Sequence, residues 1–406
     1  MTSFRIIVGS YEHSLLCLSL TLTPTPHFHP IFHFQAHSLS VKCIDLADRY
    51  LVTGSNDEHI RIYDLQKRKE LGTLLQHQGS ITSLCFSNEP KESNYPLHKH
   101  AHHLLSTSTD GKILLWRTKD WELLKEMKGH RGAILCLSIH PSNRVAISCG
   151  EDNTIRLWNL MTGKKASGLK IKGAWSRGQK AEFVKFSPDG EYFVVGLRDR
   201  LFIWKTREGK LTNIYMTNKM TLMCIDFITL DKKDYLVVGL SNGAINFYHF
   251  DQSENLLTPQ ENITGSPEET PQLPKAEFEL HGHGNRVKGF SVFKSNDETY
   301  LTSISSDGKI VVWDLTTGSK NFKDQIAVYD SGERLNVIAT VEEEIEKAST
   351  MKPIYNPDDF GYGTESEYES DAEGLKEIME GRRKNKQSKK AKKKAKAKLL
   401  SVEIEK

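Results

Sequence analysis

The chain has 406 residues, 38% of them hydrophobic, and a formal net charge of +3; this length suits one large all-β domain with appendages. Six cysteines occur without a CxxC pair, which speaks for buried thiols in a reducing compartment and against a disulfide frame or a zinc site. No apolar run approaches the length of a membrane span, and the small net charge hides segregation: residues 342–375 hold eleven acids against two bases, while 376–406 hold thirteen bases against four acids.

From the N-terminus, Phe4 to Leu22 is apolar but interrupted by Gly9, Glu12 and His13, a strand pair rather than a signal peptide. Ile6–Leu20 superposes on Leu51–Leu65 with a Gly-Ser turn in register, so the chain begins in the middle of a repeating unit. The unit is clearest from Gly129 to Leu160. There Gly129-His130 leads into short alternating apolar runs bounded by Gly, Pro, Asn and Asp, a strand pattern that ends at Trp158-Asn159. The same grammar runs from Ala36-His37 to Tyr63-Asp64, from Gln76-His77 to Trp116-Arg117 and from Gly282-His283 to Trp313-Asp314. Two further copies lack the leading Gly-His and keep only the endings, Trp204-Lys205 and Tyr248-His249. One such meander cannot bury its own faces, so the copies must pack on one another.

Within the copies four residue types keep their spacing. Asp57, Asp110, Asp152 and Asp307 each stand six residues before the closing aromatic, Tyr63, Trp116, Trp158 and Trp313. A hydroxyl residue precedes each Asp by four: Thr53, Ser106, Ser148 and Ser303. With His37, His77, His130 and His283 these make four sets of imidazole, hydroxyl, carboxylate and aromatic. Such groups satisfy one another when buried, and one left unpaired costs about 1–3 kcal/mol. A His130–Asp152 couple could otherwise serve as an acid–base pair or metal site; with Ser148 and Trp158 at repeat spacing it is structural. No catalytic residue, cofactor site or phosphate-binding loop is visible.

Two insertions interrupt the repeats. Residues 88–103 carry His98, His100, His102 and His103, read as a solvated loop rather than a metal site. Residues 251–275 are polar and Pro-rich and read as a disordered loop, with Thr258-Pro259, Ser266-Pro267 and Thr270-Pro271 in the pattern of proline-directed phosphorylation. Arg334–Val341 is a strand-like run where another unit should begin. Paired with the N-terminal strands it would close six complete copies into a seven-bladed all-β propeller, 1–341, and remove the sheet edges. Beyond lie an acidic linker, 342–375, and a lysine-rich tail, 376–406. The linker holds Tyr355, Phe360, Tyr362 and Tyr368, with Ser366 and Ser370 set for added negative charge. The tail has high helix propensity, and its run of Arg382, Arg383, Lys384, Lys386, Lys389, Lys390, Lys392, Lys393 and Lys394 reads as a nuclear or nucleolar address that also touches RNA.

Bases recur where each first strand begins: Arg131, Arg177 with Lys180, Lys219, Arg286 and Arg334. In a propeller these loops share one rim, so the bases form a candidate RNA- or acidic-partner-binding arc, with Trp175 as a stacking platform.

The His, Ser/Thr, Asp, Trp spacing resembles the WD-repeat family. The composite first blade, the weakened fifth and sixth repeats and the acid-then-lysine tail resemble its p21-activated-kinase-interacting-protein branch; Tyr63, Tyr248 and the histidine-rich insertion depart from the pattern. The resemblance implies a nucleolar, non-catalytic factor for assembling the large (60S) ribosomal subunit. Its partners would be pre-60S particle proteins and rRNA, without a membrane, the protein being a monomer within a larger assembly. The alternative it implies is a signalling adaptor that negatively regulates a p21-activated kinase.

Overall fold

The computed structural model describes residues 2–343 except 24, 89–100, 172, 218–219, 252–255, 258–269 and 296–297. Seven four-stranded antiparallel sheets follow one another around a central channel. The first is composite: its strands, from the channel outward, are Leu335–Glu342, Thr2–Ser10, Ser14–Leu22 and His27–Gln35. Blades two to seven start from innermost strands Val41–Ala47, Ile81–Phe86, Ile134–Ile139, Phe183–Phe186, Leu222–Leu230 and Val287–Ser295, and each then steps outward by hairpins. The propeller expected from the repeats is therefore present, with seven blades.

Closure occurs where the sequence pointed. Ile6 faces Thr340 and Phe4 faces Glu342, so the last strand runs one residue past the expected boundary at 341. Phe4 also stacks on Phe293 of blade seven, centroids 4.4 Å apart. Pairing with Leu335–Glu342 covers the edge that Thr2–Ser10 would otherwise expose to a foreign strand.

Alternation explains the burial. In Ile113–Trp116 the side chains are buried on both faces, because each inner strand is sandwiched between neighbouring blades. The outermost strand Lys164–Lys170 is largely exposed and accordingly polar. Apolar clusters lie between successive blades, as in Ile155, Ile171, Val184 and Phe193 between blades four and five.

Innermost strands share a second device. Pairing skips one residue near their start in five blades, at Lys42, Thr82, Leu135, Met223 and Lys288, and likewise at Asn336 in blade one. Each skipped residue is the extra one of a β-bulge, which leaves the ladder unpaired and re-aims its side chain. The channel encloses about 770 Å³. Lys185 lies across it, its ammonium 2.8 Å from the Asp226 carboxylate. Burial works against that charge, but Asp226 outweighs it and the Lys185 pKa is raised.

Two expectations need adjusting. His103 is the first residue of the strand His103–Ser108, so the insertion ends before it. The segment 251–275, expected to be a disordered loop, is packed in part: Leu256 and Leu257 lie in a turn and are buried in the core of blades five and six. Pro271 and Leu273 exchange backbone hydrogen bonds with Met216 on the edge of blade five, 2.9 Å each. Residues 89–100, 252–255 and 258–269 of the insertions, with the phosphorylation motifs Thr258-Pro259 and Ser266-Pro267, and everything from 344 onward lie outside the described residues. Among the described residues no helix is long and apolar enough to cross a membrane. All six cysteines are free thiols, and burial pushes the Cys17 thiol up to about 12.

Candidate functional site

The four sets converge as their spacing required. In blade three the Trp116 indole N–H donates to Ser106 Oγ (2.9 Å), the hydroxyl donates to His77 Nε2 (2.9 Å), and His77 Nδ1–H donates to Asp110 (3.0 Å). Blade four repeats this with Trp158–Ser148 at 2.8 Å, Ser148–His130 at 2.7 Å and His130–Asp152 at 3.1 Å. Every proton is used once, and each Asp also takes the backbone N–H two residues on, Lys112 and Thr154 respectively. The network thus ties the loop leading into the blade to the hairpin between its second and third strands. In blade two, His37 meets Thr53 (2.8 Å) and Asp57 (3.0 Å). The buried Tyr63 hydroxyl stands near Thr53 and Arg61 but reaches neither at good hydrogen-bond geometry.

Blade seven is looser. Trp313 and His283 both reach Ser303, at 2.9 and 2.7 Å, but His283 Nδ1 stops 3.9 Å from Asp307 and has no hydrogen-bond partner. Asp307 instead accepts the N–H groups of Gly284 (3.1 Å) and Lys309 (3.0 Å). Glycine before the histidine has a packing cause: a Cβ at Gly282 would stand 2.6 Å from the Trp313 ring.

The electrostatics are those of a structural network. Burial lowers the His37 and His130 pKa values despite the adjacent carboxylates, and brings His283 down to about 4. For Asp152 burial acts upward, but hydrogen bonds from Thr154, the Arg131 N–H and His130 outweigh it and hold the carboxyl well below the usual range. A neutral imidazole whose two nitrogens are engaged, or sealed in the fold, has no proton to exchange with a substrate. Among the described residues no group of three or more His, Cys, Asp or Glu could hold a metal ion; His98 and His100 lie outside them.

On the rim where the innermost strands begin, Arg131, Arg177, Lys180, Arg286 and Arg334 are all exposed. They are not equivalent. Lys180 is paired with Glu151 at 2.7 Å. Arg334 lies over the Tyr11 ring, 5.5 Å from its centroid. Lys219 and the tail bases Arg382 to Lys394 lie outside the described residues. Trp175 is not the free platform expected: it sits in the helical turn Gly173–Ser176, half-buried against the core of blades four and five. Its carbonyl accepts the guanidinium of the buried Arg200 at 2.7 Å. That arginine anchors the blade-five loop, which has no Gly-His, and sequence spacing gave no sign of it. Lys42 and Lys288 were also missed; as bulge residues they break the alternation by which strand positions are read.

The pattern of the WD domain, G-beta repeat family matches residues 28–64, 68–117, 121–159 and 274–314. The repeats in blades five and six, without Gly-His, are not among the matches. Protein MAK11 of Saccharomyces cerevisiae is 47% identical over 99% of this chain and 98% of its own length. A p21-activated protein kinase-interacting protein 1-like of Gallus gallus is 32% identical over 86% of this chain and 82% of its own. Shk1 kinase-binding protein 15 of Schizosaccharomyces pombe is 24% identical over 76% and 77%.

Proposed function

Because the chain belongs to the WD-repeat family that includes Protein MAK11 and the p21-activated protein kinase-interacting proteins, we propose that it is a non-catalytic nucleolar scaffold for assembly of the large (60S) ribosomal subunit. The observation that carries this reading is the joining of a rigid seven-bladed ring to a tail with thirteen bases against four acids. A propeller offers loops on a fixed frame and so can hold several proteins at once. Lysine-dense tails bind RNA phosphates without sequence preference and raise local encounter rates. The ring would grip pre-60S proteins while the tail holds rRNA and directs the protein to the nucleolus.

Relatives named for kinase interaction favour a second reading, an adaptor that restrains a p21-activated kinase. It requires the ring but gives the lysine run no task. Depletion of the protein followed by sucrose-gradient sedimentation separates the two. The assembly reading expects free large subunits to fall relative to small ones, with recovery by the full chain and weaker recovery by a chain lacking 376–406. An unchanged subunit ratio together with raised p21-activated kinase activity would replace it with the adaptor.

A further inference from the structure

Four bases gather where three successive blades meet the channel mouth. Lys42 of blade two and Lys288 of blade seven are bulge residues of their innermost strands. Arg286 and Arg334 immediately precede the innermost strands of blades seven and one. Blades one and two are joined at this level by Asn336, whose amide donates to the Val41 carbonyl (3.1 Å). Lys42, Arg286 and Arg334 are exposed and Lys288 is half-buried. Burial, then Arg286, Lys42 and Arg334, depress the Lys288 pKa, so the four charges feel one another.

Nothing in the described chain neutralises them. No described carboxylate lies within ion-pairing distance of any of the four. The nearby Glu333 side chain turns to Ser14 and His33, and Asp307 to backbone N–H groups. Like charges brought together by bulges, without counter-charges, destabilise the free protein and favour an anionic ligand. The surroundings suit a peptide more than a nucleic acid. Leu39 (47% exposed) stands three residues before Lys42 and Tyr11 (54% exposed) lies under Arg334, two exposed apolar groups beside the quartet, and Tyr with Arg is the composition of protein-binding hot spots. Single-stranded RNA needs a succession of stacking faces, and the aromatic expected to supply one, Trp175, is packed against the core.

We propose that Lys42, Arg286, Lys288 and Arg334 dock an acidic peptide segment of a protein partner, its carboxylates at the channel mouth and an apolar residue against Leu39 or Tyr11. This goes beyond the assembly reading and does not depend on which particle the partner belongs to.

The test is fluorescence anisotropy on the full chain with two labelled probes, a short peptide of glutamates around a central leucine and an oligouridylate of equal charge. The basic tail is common to every variant, so differences between variants report the ring. The pair Lys42→Glu with Arg286→Glu should weaken the peptide about tenfold or more and steepen no salt dependence. Arg131→Glu with Arg177→Glu, on the same rim in other blades, should change it less than about twofold. Leu39→Ser should weaken the peptide and leave the oligouridylate unmoved. Should either glutamate pair lower the melting temperature, Lys42→Gln with Arg286→Gln replaces the first and the peptide is expected to weaken again. Peptide binding indifferent to the quartet, equal losses from both pairs, or an oligouridylate that depends on the quartet as strongly as the peptide would each overturn the proposal.

Discussion

Val8 lies opposite Ile338 in antiparallel register, and through that pairing the two ends of the propeller become one blade. The closing strand is held on its other side too: Thr340 Oγ1 lies 2.8 Å from Ser291 Oγ of blade seven. Deleting residues 330–342 should therefore abolish the single cooperative melt of the ring, while deleting 376–406 should leave the melting temperature unchanged. Circular dichroism melts of the two truncations check this. A ring that melts normally without its last strand would show that closure is dispensable.

The tetrads differ in how completely they are joined, and stability should follow. Asp152→Ala leaves His130 and several N–H donors without their acceptor, and should cost about 2–3 kcal/mol in urea unfolding. Asp307→Ala should cost about 1 kcal/mol, because His283 already stands 3.9 Å away. Equal losses would mean that the imidazole–carboxylate link adds nothing.

Acid should weaken the ring in a defined order. Well above pH 6.5 His283 is neutral folded and unfolded and contributes no pH dependence. Below it the unfolded chain takes up a proton that the folded imidazole, at about 4, refuses. Stability is then lost as pH falls from 6.5 towards 4, by up to about 3 kcal/mol from this residue. His37 and His130, also lowered, act with the same sign. Asp57, Asp110 and Asp152, held below the ordinary carboxylate value, contribute stability that is lost only under more acidic conditions, below about pH 4. Urea midpoints across this range should fall less steeply in His283→Asn than in the parent, and identical slopes would contradict the assignment.

What the sequence disclosed depended on whether a role was carried by a residue type or by a backbone detail. The tetrads were legible because imidazole, hydroxyl, carboxylate and aromatic each leave a letter at fixed spacing. Ring closure was legible because Ile6–Leu20 matched only part of a repeat. Lys42 and Lys288 were illegible because a bulge inverts the face on which a strand residue appears. Leu256 and Leu257 were hidden in a polar insertion, although the Tyr215 hydroxyl holds the turn in place by donating to the Leu256 carbonyl at 3.0 Å. Trp175 misled because a single helical turn rotates it toward the core, where Arg200 holds its carbonyl.

The proposed function makes the basic tail the nucleolar address. Replacing Arg382, Arg383, Lys384, Lys386, Lys389, Lys390 and Lys392–Lys394 by glutamine should remove the protein from nucleoli, seen by fluorescence microscopy, while the melt of the ring is unchanged. Undiminished nucleolar enrichment would place the address elsewhere in the chain.

In the proposed function the ring and tail together hold the protein on large-subunit precursors. Affinity purification of the tagged full chain at low and at moderate salt tests it most directly, with mass spectrometry of the proteins and hybridisation of the RNA. Large-subunit assembly proteins and precursor rRNA are expected at both salts, with RNA reduced at the higher salt as tail contacts weaken. Recovery of a protein kinase without ribosomal precursors, or of no partner at either salt, would contradict it.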